Sequence, residues 1–147
     1  MDLLSSTLQI SASALRAERI RLDAVASNLA NASTTQTPEG GPYRRKTVVF
    51  AAQEVASDFG ETLADLGGAA KPTGVTVTQV QEDQGPPKLV FDPGHPDANP
   101  EGYVAYPNVN PVLEMVDLQA ATRAYEANVQ VVNATRQLAN AALSIVG

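Results

Sequence analysis

The 147-residue chain has no cysteine and no tryptophan, a single histidine, and only 5% aromatic residues. Without cysteine there is no disulfide framework and no thiolate metal site, while a thiol-free chain suits oxidising and reducing spaces alike. With so few aromatics, a core must rely on valine, leucine and alanine. Positive charge is scarce too. Ten Lys and Arg face sixteen Asp and Glu, for a net charge of −6. That balance argues against a nucleic-acid partner, since no basic excess exists to replace counterions. No apolar run approaches the roughly 18 residues of a membrane-spanning segment. The N-terminus lacks a basic start followed by an apolar block, so no cleaved secretory signal is expected. The chain either stays in the cytoplasm or leaves by a route that reads no such signal.

Catalytic signals are equally thin. His95 lies in Pro93-Gly94-His95-Pro96, which reads as a turn, and no Gly-x-Ser-x-Gly elbow exists to supply a nucleophile. Asp92, Asp97 and Glu101 near His95 are a poor metal set. Gly40-Gly41 is followed by neither a Lys-Ser/Thr pair nor a GxGxxG pattern, so no phosphate loop is suggested. No catalytic residue, cofactor or metal is expected, and the chain is not read as an enzyme.

Charge is missing in one further place. Residues 1–36 carry three acids and three bases, and residues 111–147 carry three acids and two bases. The segment between holds ten acids and five bases. The two ends are nonetheless the helical parts. Asn110 suits a helix cap and Pro111 the first helical position, and no Gly or Pro follows until Gly147. Leu118, Ala121, Tyr125, Asn128, Val132, Thr135, Ala139, Ala142 and Val146 then recur at alternating steps of three and four, a coiled-coil seam with polar members. Val131, Leu138 and Ile145 run beside it at steps of seven. Such a helix is roughly 55 Å long and needs another helix to cover it. At the other end, Met1, Leu8, Leu15, Leu22 and Leu29 fall at steps of seven over residues 1–31. Solvated helices normally display many charges on the outer face. These offer Ala, Ser, Thr, Asn and Gln instead, which suggests packing among copies or relatives.

Residues 43–107 read as short strands and turns: Lys46–Phe50, Gly74–Gln81, Lys88–Phe91 and Gly102–Tyr106. Ala51–Thr73 reads as a mobile loop whose start could make a short helical turn. Arg44-Arg45-Lys46 reads as a salt-bridge donor at a strand end, with contact to an acidic partner surface as the alternative. The expected fold is α+β, with long N- and C-terminal helices paired as an antiparallel coiled coil and a small β-rich central lobe. Its parts are residues 1–36, 37–109 with the mobile loop near 52–73, and 110–147.

Several stretches carry a resemblance. Leu22–Thr34, LDAVASNLANAST, resembles the N-terminal signature of the flagellar axial proteins, the rod and hook group. Gly41-Pro42-Tyr43-Arg44-Arg45-Lys46, then Lys88–Ala98, Gly102-Tyr103-Val104 and Pro107-Asn108-Val109-Asn110, are similar to proximal-rod members in particular. Glu114-Met115-Val116-Asp117 with Arg123–Asn128 resembles the shared rod-protein C-terminus. The resemblance implies a structural building block, exported by the flagellar type III apparatus without a cleaved signal. It implies polymerisation into the periplasm-crossing rod, with terminal helices in the tube wall and the acidic middle outside. The implied partners are copies of itself, other proximal-rod proteins, a ring–rod junction protein, the distal rod protein and the export apparatus. The assembly interface is expected at Leu8, Leu15, Leu22, Leu29, Asn28, Asn31, Met115, Leu118, Tyr125, Asn128, Val132 and Leu138. Asn128 and Thr135, polar within the seam, are expected to set register, and Tyr125 to pack while its hydroxyl reaches a neighbour. The alternative, read from the residues alone, is a soluble coiled-coil adaptor presenting the β lobe to a partner.

Overall fold

The computed structural model describes residues 2–55 and 72–146. In chain order it contains helix α1 (Asp2–Ala30), strands β1 (Lys46–Glu54), β2 (Thr73–Glu82), β3 (Lys88–Phe91) and β4 (Tyr103–Tyr106), and helix α2 (Pro111–Val146). The chain is therefore α+β, with a long helix at each end and antiparallel strands between them.

Each helix end has a local cause. The Asn110 carboxamide oxygen accepts the Val112 N–H at 3.0 Å, so the cap stands directly before Pro111. Such a cap contributes about 1 kcal/mol. At the end of α1, Asn31 donates its side-chain amide to the Ser27 carbonyl at 2.9 Å and accepts the Thr34 hydroxyl at 3.2 Å. These bonds take up the last turn and stop the helix.

The strands make two separate ribbons, β1 with β2 and β3 with β4. Pro86 and Pro87 stand between β2 and β3 and have no N–H to continue a ladder. In the second ribbon Lys88 faces Tyr106 and Phe91 faces Tyr103. Its turn is closed by Gly102 at φ +82°, a conformation suited to glycine. β1 also runs to Glu54, past the expected end at Phe50. Ala51 therefore continues a strand and begins no helical turn, because pairing with β2 outweighs the weak local preference of Ala51, Ala52 and Gln53. The remainder of the expected loop, residues 56–71, lies outside the described residues.

Packing divides the chain into two compact units. One comprises Met1–Ile20, Phe50–Thr78 and Ala121–Gly147. Its buried positions are small: Ser6, Ser11, Ser13, Ala17, Ala121 and Thr135. Here β2 lies directly on α1. The Ser13 hydroxyl accepts the Val75 N–H at 3.0 Å and donates to the Ile10 carbonyl at 2.6 Å. Gly74 makes this approach possible, since a Cβ there would sit 2.6 Å from the Ser13 oxygen.

The other unit comprises Arg21–Val49 and Gln79–Ala120. It buries Ala24, Val25, Asn28, Val104 and Glu114. Asn28 meets Glu114, while Arg21, two turns earlier on α1, meets Asp117 farther along α2 at 3.8 Å. The two helices are therefore antiparallel here.

The leucine line of α1 is not the deepest line. Leu8, Leu15, Leu22 and Leu29 are half-buried, and the buried positions Ser6, Ser13, Ala17, Ala24 and Asn28 follow a neighbouring line at steps of seven and four. Small side chains let backbones approach closely, and the leucines then close the flank. On α2 the expected seam matches burial better. Ala121 and Thr135 are buried, with Leu118, Tyr125, Asn128, Val132 and Ala139 half-buried, while Ala142 is exposed; Glu114, seven residues before Ala121, extends the buried line toward the start of the helix.

Candidate assembly site

The unit formed by Arg21–Val49 and Gln79–Ala120 is organised around Asn28, which is wholly buried. Its side chain uses every hydrogen-bonding position it has. The amide nitrogen donates to the Lys46 carbonyl at 2.9 Å and to Glu114 Oε2 at 3.0 Å. The amide oxygen accepts the Lys46 N–H at 2.7 Å and the Tyr43 hydroxyl at 3.0 Å. One carboxamide thus joins the end of α1, the start of β1 and the first turns of α2. Glu114, 1% exposed, is neutralised by Arg45, whose Nε lies 2.7 Å from Oε1. Arg45 also reaches Asp117 at 3.6 Å. The basic triplet therefore supplies the expected salt-bridge donor at a strand end. Burying Glu114 costs desolvation, which the guanidinium, the Asn28 amide and the N-terminal end of the α2 dipole offset.

A second tie stands nearby. Asp83 accepts the Gly85 N–H at 2.8 Å and the Asn108 amide at 3.0 Å. These bonds, the Gly85 one first, hold its carboxyl below the usual aspartate range, helped by Arg45 and Arg44. A depressed folded value means that this stabilisation is present above the unfolded aspartate pKa and is lost as pH falls through the folded one. An NMR titration of Asp83 should show a midpoint below that of an ordinary aspartate. Asn108→Ala should move it upward, and an unchanged midpoint in that variant would remove Asn108 from the account.

The turn that carries Glu114 is inverted in polarity. Its carboxylate points inward while Val112, Leu113, Met115 and Val116 are 50–62% exposed. A second exposed apolar set, in the other unit, is Val131 at 43%, Leu138 at 63% and Leu143 at 60%. Both sets reverse the usual order of a solvated helix, and such patches mark surfaces that other proteins cover.

Of the residues expected at the interface, Met115 and Leu138 are exposed, and Leu118, Tyr125, Asn128 and Val132 are half-buried. Asn28 belongs instead to the interior, since all its polar groups are spent within the subunit. Asn31 closes α1. Asn128 donates to the Ala124 carbonyl and Thr135 to the Val131 carbonyl, both at 2.9 Å. Both seam residues thus donate back to their own helix. Sequence reasoning passed over Tyr43 and Glu114. The signal for Glu114 was a lone charge amid Val112, Leu113, Met115 and Val116.

His95 is a turn residue, accepting the Asp97 N–H at 3.1 Å on Nδ1. The nearby carboxylates are engaged elsewhere: Asp97 accepts the hydroxyl of Thr35, in the segment after α1, at 2.7 Å, and Glu101 accepts the Asn99 amide at 2.8 Å within the loop. Among the described residues no three His, Asp or Glu side chains gather to hold a metal ion, and no helix is long and apolar enough to cross a membrane.

The family model described as flagella basal body rod protein matches residues 8–36, and that of the flagellar basal body rod FlgEFG protein C-terminal matches residues 101–145. The flagellar basal-body rod protein FlgC of Borreliella burgdorferi is 41% identical, with 97% of each chain covered. The Bacillus subtilis protein of that name is 46% identical over 95% of each chain, and that of Escherichia coli 42% over 92%. With identity at this level along nearly the whole length, the chain belongs to the FlgC family of flagellar basal-body rod proteins and is a structural subunit of that rod.

Proposed function

We propose that the chain is a subunit of the proximal part of the rod, and that it polymerises by packing its terminal helices against those of its neighbours. The observation that carries this reading is the inverted turn at the start of α2. A carboxylate is held inside by Arg45 and Asn28 while Val112, Leu113, Met115 and Val116 face outward. Full burial of such a side chain is worth roughly 1.5–3 kcal/mol, and these, about half exposed, still have about half of that to gain from a neighbouring helix. Away from the Asn28 junction, the stretches of the two helices that carry exposed apolar faces have less to offset their ordering in an isolated chain, so assembly and the ordering of those stretches are coupled.

In this reading residues 1–36 and 110–147 form the inner wall of the rod and the export channel, with the acidic residues 37–109 outside. The neighbours are further copies, other proximal-rod proteins, the ring–rod junction protein and the distal rod protein. The flagellar export apparatus delivers the chain to the periplasmic space without cleavage of a signal.

The test replaces Leu113 and Val116 together by Glu. Both side chains are exposed, so the double variant should keep the helical circular dichroism of the parent. It should be absent from isolated basal bodies, and cells relying on it should not swim. Normal incorporation and swimming would defeat the reading.

A further inference from the structure

α2 carries two heptad lines. One is buried through Glu114, Ala121 and Thr135. The other lies one position behind the first: Ala127, Val131, Ala134, Leu138 and Ala141, at alternating steps of four and three, with Ile145 continuing the spacing in sequence. All five described positions from Ala127 to Ala141 are exposed. One residue turns a helix by about 100°, so this line is a separate face. Between Ala127 and Ser144 the helix holds one charge, Arg136. A face so poor in charge and carrying Val131 and Leu138 is unsuited to water.

The shape of the face selects its occupant. Alanine recurs every seventh residue, at 127, 134 and 141, with a larger side chain between. That makes a row of shallow holes about 10.5 Å apart. A facing helix fits if it presents one large knob every seventh residue. α1 does so in the same compact unit, with Leu8 and Leu15 on a flank that its own chain covers only in part.

We propose that the second line of α2 is a socket for the Leu8–Leu15 flank of α1 from a second copy of this chain. The proposal rests on the rod reading above and deepens it by naming the partner face. Socket and knob are different faces of one chain, so each contact leaves one of each unfilled and copies add in succession. Pairing of the socket with its own twin would instead close as a dimer and stop.

The chain has no cysteine, so introduced thiols report only on themselves. Two full-length double variants, Leu15→Cys with Leu138→Cys and Leu15→Cys with Ala134→Cys, are made in the native bacterium, oxidised in place, and their basal bodies run without reductant. The expected result is a ladder of covalent trimers and longer species from at least one pair, and monomers from each single variant. A dimer from Leu138→Cys alone would assign the face to its twin and overturn the proposal. Monomers alone from both pairs, in basal bodies that contain them, would overturn it too. Leu138→Ser, which removes the large side chain between two holes of the socket without adding charge, is measured beside them. It should lower incorporation about tenfold, and incorporation at the parental level would count against the socket. Absence of the unsubstituted chain from basal bodies would instead refute the rod reading.

Discussion

Asn28→Leu is expected to lower the unfolding free energy by about 4 kcal/mol. Leucine keeps the same four-atom branched side chain, so most of the loss is polar, with some crowding from the bulkier methyl groups added. It removes an amide that bonds the Lys46 carbonyl and Glu114 and accepts from Lys46 and Tyr43. Tyr43 keeps Ser27 as a partner at 3.0 Å, and Glu114 keeps Arg45. The Lys46 N–H and carbonyl lose the Asn28 amide, and a buried polar group left unpaired costs about 1–3 kcal/mol. Urea unfolding followed by circular dichroism measures the change. Asn28→Asp should be no milder, because it places a second carboxylate beside Glu114 and cannot donate to the Lys46 carbonyl. A loss below about 1 kcal/mol for the leucine variant, within the range of an ordinary surface change, would show that the three segments are held together elsewhere.

Gly74→Val is expected to cost about 3 kcal/mol. The first added carbon falls 2.6 Å from the Ser13 hydroxyl oxygen and 3.3 Å from Val55 Cγ2. The hydroxyl cannot swing aside without giving up Ile10 and Val75, its partners at 2.6 and 3.0 Å. The start of β2 must therefore lift from α1. Faster amide exchange at Val75 reports that movement and thermal unfolding its cost. Combining Gly74→Ala with Ser13→Ala separates crowding from the lost bond. Crowding predicts that the pair loses less stability than the sum of the single changes. Strict additivity would remove the close approach as the cause.

The helices and most strand limits could be read from sequence because their causes are local. Asn110 and Pro111 start α2, Asn31 closes α1, and Lys88–Phe91 is bounded by prolines. β1 ran longer than expected because its second half depends on β2 rather than on its own residues. The leucine line of α1 was misplaced for a different reason. Hydrophobicity ranks leucine above serine, whereas close approach of a helix is decided by volume, which favours Ser6, Ser13, Ala17 and Ala24 at the centre. The exposed line at Val131 and Leu138 was visible as a second period. The polar centre was not. Asn28 lies 86 residues from Glu114, and Arg45 lies 69 from it. Each alone reads as a helix residue, a strand-end cation or a first-turn acid. Only the tertiary fold makes them one group.

Asn28 grips position 46 by its peptide N–H and carbonyl, never by the lysine side chain. Position 46 is therefore read as backbone, so nineteen of the twenty amino acids can satisfy the grip and proline, which has no N–H, cannot. Sequence drift at that position can proceed without disturbing the junction, while position 28 has no substitute that both gives and takes two hydrogen bonds in the same small space.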